Sequence, residues 1–364
     1  MAAKQRTYRA TGINLKGMPM GESDRMVTIL TKEYGLIRAI APGARKLKSR
    51  LAGRSGLFVV NDGLYTKGKS IDKFVQAETV QSFPGLSRDL AKLTASQYLA
   101  EIVLAQALTD QPQEELYYLL IEHLGRIEAA SKSTVLACLA QATFHLLALA
   151  GVAPEVFRCC LSRAPLTVEL GNPDWSVGVS VASGGTVSTD EVEKMECDRL
   201  KEVQQRLAEY AETRATTEPL VAESSSQYDS DPASAGQAAT GSSVISTSVP
   251  TPSQAPSFEL KNRVSKDVAR QLGLVTYLSA AELALMQQLS KPDLILTSTP
   301  ATDPTFALKS GTIKQSAPFS SAYSANAGPH LMWQHIEQAL RQYAQYQFDR
   351  PIRSAALIDT CFSV

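Results

Sequence analysis

Five short runs near the N-terminus decide the fold: YRATGINLKG (Tyr8–Gly17), RMVTILTKEYG (Arg25–Gly35), LIRAIAPG (Leu36–Gly43), LFVVNDGLYTKGKS (Leu57–Ser70) and IDKFVQAETV (Ile71–Val80). They are rich in residues that suit a pleated, half-buried surface, and glycines punctuate them. Several short strands at this regular spacing predict a small all-β barrel, with the OB-fold as the leading candidate.

After Phe83-Pro84-Gly85 the hydrophobic period becomes helical. Apolar residues recur at helical spacing over Leu86–Leu108, Gln113–Ala129 and Thr134–Ala150, and Gly151 followed by Pro154 stops the third helix. Further amphipathic helices are expected at Val192–Tyr210, Ser279–Leu289 and Leu331–Phe348. Between them, residues 224–257 hold 11 Ser and no Lys or Arg, too little apolar surface to offset ordering entropy. The expected organisation is α+β: an OB-fold β-barrel over 1–82, then an all-α domain in two parts, 83–213 and 259–364. A disordered Ser/Pro/Ala-rich insertion over 214–258 separates the parts, and a second polar insertion lies near 297–328.

The formal net charge is zero, yet it is unevenly placed. Residues 1–80 hold fifteen basic residues against six acids, a net +9, so the remainder carries −9. Such asymmetry points to one region that meets a polyanion. Its densest part is GARKLKSR, Gly43–Arg50, where Arg45, Lys46, Lys48 and Arg50 occur with no acid among them. These four are the candidate phosphate contacts, and Arg9, Arg25, Arg38, Arg54, Lys67 and Lys69 extend the surface. Tyr8, Tyr34, Phe58, Tyr65 and Phe74 are interleaved as candidate stacking platforms, although several must fill the barrel core instead.

Other motifs carry less. GLYTKGKS, Gly63–Ser70, satisfies the phosphate-loop pattern, in which Lys69 would reach phosphate and Ser70 would ligand magnesium. A phosphate loop must open a helix, whereas IDKFVQAETV reads as a strand, so a β-hairpin turning at Lys67-Gly68-Lys69 is expected. Adjacent Cys159 and Cys160 lack the spacing of a zinc half-site, since Ser162 and Arg163 stand where a second ligand would fall. The five cysteines are expected to be reduced thiols. His123, His145, His330 and His335 form no recognisable nucleophile or metal motif, and no catalytic constellation is evident. The N-terminus lacks a signal-type apolar region and no run is long enough to span a bilayer, so a cytosolic protein is expected.

The segment Tyr8–Arg54, above all GESDRMVTILTKEYGLI and GARKLKSRL, strongly resembles the N-terminal region of RecO recombination mediators. LLALAGVAPEVFRCC is similar to the family's leucine-rich helix and its following Gly, Pro and Cys, and YAQYQFDRPIRSAALI (Tyr343–Ile358) to its closing helix. The resemblance implies a non-catalytic, cytoplasmic, nucleoid-associated protein of DNA repair that binds and anneals single- and double-stranded DNA. It also implies association with RecR and with the tail of single-strand-binding protein, and indirect help in loading RecA. Many relatives hold zinc with two CxxC pairs. Here only Cys159 matches, so the zinc site reads as lost and no cofactor is expected. An apolar groove rimmed by Arg341, Arg350 and Arg353 is the candidate site for an acidic partner peptide. A nucleotide-binding protein using Gly63–Ser70, and a scaffold with no DNA role, are the alternatives.

Overall fold

The computed structural model describes residues 7–217, 258–292 and 329–362. Five strands, β1 (Thr7–Met20), β2 (Asp24–Thr31), β3 (Gly35–Ala41), β4 (Val59–Thr66) and β5 (Asp72–Ser82), close a barrel in the order β1-β2-β3-β5-β4. β1 is long enough to pair with β4 through its first half and β2 through its second, and a bulge between Asn14 and Lys16 bends it from one to the other. β3 and β5 meet in parallel at Ala39–Asp72 and Ile40–Lys73, which completes the OB-fold.

Strict alternation explains the barrel. In β3, Ile37, Ala39 and Ala41 face inward with Val27 and Ile29 of β2, Tyr65 of β4 and Phe74 of β5. Leu36, Arg38 and Ile40 face outward. Gly35 makes the β2–β3 turn at φ 63°, where a Cβ would lie 2.3 Å from the carbonyl oxygen of Leu108. Only glycine permits both the turn and that approach.

The phosphate-loop pattern is a hairpin. Gly63 pairs with Ala77 and Thr66 with Lys73, so β4 runs into β5 with no helix after it. The Gly68 N–H donates to Asp72 Oδ1 at 2.9 Å, placing the chain's own carboxylate where a phosphate would be needed.

A 3-10 turn (Pro84–Arg88) leads into α2 (Leu90–Gln106), after the one-turn α1 (Leu51–Arg54) of the barrel. The Asp89 carboxylate caps α2 through the N–H groups of Ala91 and Lys92. There follow α3 (Glu114–Ala129) and α4 (Val135–Leu149), then α5 (Thr189–Thr217), α6 (Phe258–Leu272), α7 (Ala280–Gln288), α8 (Pro329–Phe348) and α9 (Ala355–Phe362). α4 is buried nearly all round and packs against α2, α3 and α8. Gly151 ends its turn at φ 74°.

Three strands in this domain depart from the all-helical expectation. β6 (Ser176–Ser180), β7 (Gly185–Ser188) and β8 (Leu274–Ser279) form an antiparallel sheet in the order β7-β6-β8. β6 and β7 are too short to show a periodic pattern, and their third partner lies far along the chain, so no local signal marks the sheet. The domain is helical otherwise, and it joins the barrel through one continuous core. Ile13, Leu30, Phe58 and Val60 pack with Leu99, Leu120 and Leu124 of the helices.

A second compact unit spans Asp190–Gln271. Within it Ser265 donates to Glu196 at 2.7 Å, and α5 carries surface ion pairs such as Arg199–Glu202. The expected insertion over 214–258 begins inside α5, which continues to Thr217, and ends at Phe258, the first residue of α6; residues 218–257 lie outside the described residues, as does 297–328.

Candidate nucleic-acid interface

The GARKLKSR stretch belongs to the β3–β4 connection. Its backbone is turned on itself, with Lys46 N–H donating to Gly43 O and Ser49 N–H to Lys46 O, each at 3.0 Å. It is also tied to the β1–β2 turn. Gly43 N–H donates to Asp24 Oδ1 at 2.8 Å, Arg45 N–H to Ser23 O at 2.9 Å and Arg45 Nη1 to Gly21 O at 2.9 Å. The Gly43 hydrogen bond holds the Asp24 carboxyl below its usual range, with Ser23 contributing. Ala44 and Leu51 drop into the barrel core. The loop is thus pinned at both flanks while Arg45, Lys46, Lys48 and Arg50 all face solvent. Among the described residues, no ion pair engages any of these four side chains.

Two further candidate residues stand behind the loop. Arg25 Nη1 donates to Ser55 O at 3.2 Å and Ser55 Oγ at 3.1 Å. Arg54, half-buried, offers its carbonyl to the buried Asn14 and Asn61 amides at 2.7 and 2.8 Å. These contacts make the loop's return segment a fixed wall.

The outer sheet face adds residues that sequence reasoning left out. Lys16 pairs with Thr28 and Thr28 with Arg38, while Met18 pairs with Met26, Met26 with Ile40 and Ile40 with Lys73. Directly opposed residues share a face. Lys16, Arg38 and Lys73 therefore present charge on the same open surface, with Met18, Met26 and Ile40 as an apolar strip between them. Toward the helices, the same face carries Ile13, Leu30 and Leu36, which the helical core covers. Only the end next to the basic loop is free. Strand register is the signal that finds Lys16 and Lys73, the first through the β1 bulge and the second through the parallel pairing of β3 with β5.

Other candidates stand apart. Arg9 forms a bidentate pair with Asp62, Nη2 to Oδ2 at 2.7 Å, and Lys67 reaches Asp110 at 3.3 Å and Asp72 at 3.9 Å. Both charges are locally answered, whereas Lys69 is exposed on the hairpin turn. The structure shows which of the aromatics fill the core. Tyr65, Phe74 and Phe58 are buried, and Tyr34, Tyr8, Tyr65 and Phe74 contact one another in a column at centroid distances of 4.8–5.5 Å. The hydroxyl of Tyr8 donates to Asp72, and burial together with that carboxylate pushes its pKa far upward. The buried members of this column serve the core, and Tyr34 at its end is the one exposed among the five candidates.

At the C-terminus, Arg341 is also a correction. It is only 7% exposed, and it donates to Ala355 O at 2.7 Å and to Asp359 at 2.5 and 3.0 Å. Such a guanidinium cannot rim a groove. Arg350 and Arg353 are exposed. The groove at the end of α8, between Leu116, Tyr118, Leu149 and Phe348, carries Glu114 and Glu115, the wrong sign for an acidic peptide.

The cysteine region does not suit zinc. Cys159 Sγ accepts from Ser188 N–H at 3.4 Å and Ser188 Oγ at 3.6 Å, and Ser162 donates to it as well. Burial raises this thiol's pKa, yet the serine hydrogen bonds outweigh it and bring it to about 7. Hydroxyl and amide donors thus stand around the sulfur where further thiolates would be needed, and among the described residues no three His, Cys, Asp or Glu side chains cluster with metal spacing. Three of the four histidines have partners within the fold. His123 Nε2 lies 3.0 Å from His145 Nδ1, and His335 links Glu282 at 2.8 Å to Thr276 at 2.6 Å. Among the described residues no helix is long and apolar enough to cross a membrane.

Comparison with known proteins agrees with this architecture. The family model for the recombination protein O N terminal matches residues 4–83, and that for the recombination protein O C terminal matches 87–197. The DNA repair protein RecO of Nostoc sp. strain PCC 7120 is 42% identical over 361 residues, covering 98% of this chain and 97% of its own. RecO of Gloeothece citriformis is 44% identical over 356 residues, with 98% and 97% covered. RecO of a Synechococcus strain is 54% identical over 181 residues, covering 47% of this chain and 64% of its own. An OB barrel with a pinned basic loop, a helical second domain and relatives aligned almost end to end together place the chain in the RecO family of non-catalytic DNA repair proteins.

Proposed function

We propose that this protein binds single- and double-stranded DNA through the open end of its barrel and brings strands together by neutralising their phosphates. One observation carries the reading. The cations of the β3–β4 loop are exposed, unpaired and held on a fixed backbone, and they continue onto the sheet face through Arg38, Lys16 and Lys73. Phosphate contacts carry little sequence information, so binding is sequence-tolerant and promotes annealing of complementary strands. Family membership supports the wider role, in which the protein works with RecR and the tail of single-strand-binding protein and helps RecA load. Of the named candidates for the acidic tail, Arg350 and Arg353 remain, and substitution of either should weaken tail-peptide binding. The Cys159–Ser162–Ser188 cluster supports a protein that works without zinc.

Fluorescence anisotropy with labelled single-stranded DNA over a range of salt tests the DNA reading. Neutralising about five phosphates gives a slope of log K against log salt of about −3.5. ATP should change nothing, because the hairpin at Gly63–Ser70 holds no phosphate cradle. Salt-independent binding, or none at low salt, would sink the proposal.

A further inference from the structure

Between the loop and the end of β1 lies a depression of about 340 Å³ walled by Gly17, Pro19, Arg25, Arg45, Ser55 and Leu57. We infer that it is a subsite for one nucleotide unit of a single strand, in which Arg25 and Arg45 hold the phosphate and the base lies against Pro19 and Leu57. The inference rests on the DNA-binding reading above and goes beyond it, because it assigns a base contact where that reading requires only charge.

The walls offer both kinds of contact that a nucleotide needs, cations for the phosphate and apolar surface for the base. Two guanidiniums line the depression together with an exposed proline, which pairs directly with Arg25 across β1 and β2, and a leucine, itself 38% exposed. The volume falls at the lower end of small-molecule sites. The walls are also built before any ligand arrives. Arg45 is oriented by Gly21 O and Arg25 by Ser55, each through one nitrogen of a fork that carries five donors. Behind Leu57, the buried side chain of Asn14 donates to Arg54 O at 2.7 Å and Gly56 O at 2.8 Å, and Asn61 donates to Arg54 O at 2.8 Å. Buried amides so placed fix the carbonyls and hence the turn that presents Leu57. Preorganised donors lose less entropy on binding an anion than free lysines do.

Only an unpaired base can use this site. In a duplex the base faces are covered by neighbouring pairs, and exposing one costs unstacking energy. The pocket therefore favours single strands over duplexes, whereas the lysines of the loop tip serve both.

The test uses the full-length protein with labelled oligothymidylate and, separately, a duplex of equal length. Leu57→Glu should weaken single-strand binding by about fivefold or more, the scale of one base contact, while duplex affinity changes less. Leu57→Trp supplies an independent readout. Its added indole fluorescence should be quenched by saturating oligothymidylate and left unquenched by duplex. Equal single-strand affinity for wild type and Leu57→Glu, or an indole signal of Leu57→Trp that stays unquenched at saturation, would overturn the subsite while leaving phosphate binding intact. Absence of any DNA binding by the wild-type chain would instead remove the parent reading. A poorly folded Leu57→Glu protein leaves the decision to the tryptophan variant.

Discussion

The β3–β4 loop and the C-terminal helices each display arginine, and the two regions use it in opposite ways. Arg45 and Arg50 project from a pinned loop with no acidic partner. Arg341 lies in the helical core, where Asp359 and the carbonyl of Ala355 accept its hydrogen bonds. Glu337 Oε1 sits 3.3 Å from its Nε, near enough for Coulomb attraction though not aligned as a hydrogen bond. Removing the loop charges should therefore cost binding and spare the fold, whereas removing Arg341 should do the reverse. Charge in a sequence becomes a ligand site only where the fold leaves it unanswered.

The sharpest way to break this contrast is to change Arg45, Lys46, Lys48 and Arg50 together to Ala. Loss of four phosphate contacts should flatten the salt slope by about 2.8 and lower single-strand affinity at low salt on the order of a hundredfold or more. The melting temperature should hold, since the bonds that pin the loop come from its backbone and from Ala44 and Leu51. Arg45 also donates one side-chain bond, to Gly21 O, at an exposed site. An unchanged slope measured on a folded protein would take the loop out of the mechanism.

Arg341→Ala should act on stability alone. It leaves the Ala355 carbonyl and Asp359 without their donor and Glu337 buried beside no cation, a loss that approaches about 3–5 kcal/mol where Glu337 stays charged and is smaller where it takes up a proton. Denaturant unfolding should show it, and the salt slope of DNA binding should match wild type. A folded Arg341→Ala protein with a flattened slope would erase the distinction between the two regions.

How much of this contrast was legible beforehand depends on sequence distance. The barrel was readable because alternation in LIRAIA and its neighbours is local, and the loop because its four cations fall within six positions between runs that read as strands. The pairing of Arg9 with Asp62 was not, since the partners meet only when β1 and β4 close the barrel. Lys16 joins Arg38 through a register that the bulge after Asn14 shifts, and Lys73 through a parallel pairing that no local signal marks. Arg341 read as the rim of a groove for an acidic peptide, and its burial against Ala355 and Asp359 depends on α9 returning to α8. The β6-β7-β8 sheet stayed hidden for the same reason, its third strand lying beyond α6.

A pH series sharpens the buried side of the comparison. Burial pushes the Glu337 carboxyl up to about 7, the Arg341 charge only partly opposing that rise. Between its unfolded value near 4.5 and about 7, the folded state binds more protons than the unfolded one, so this group lowers stability as pH rises through that window. Glu337→Gln removes the dependence. The variant should gain melting temperature relative to wild type at pH 8 compared with pH 5, and a difference that stays flat between those values would place Glu337 in its charged form throughout.

The smallest effect concerns cations that resemble the loop in sequence but resemble Arg341 in having partners. Arg9 is held by Asp62, and Lys67 by Asp110 and Asp72. DNA would have to displace a carboxylate to use either, and the released acid would then repel phosphate. Arg9→Ala and Lys67→Ala should each change the single-strand salt slope by less than about 0.7, the value of one full contact. Surface pairs of this exposure contribute about 1 kcal/mol at most, so their melting temperatures should also stay close to wild type. If either substitution flattens the slope as much as Arg45→Ala does, the boundary of the interface must be moved around the barrel to include the β1–β4 face, and an acidic neighbour would no longer mark a cation as taken.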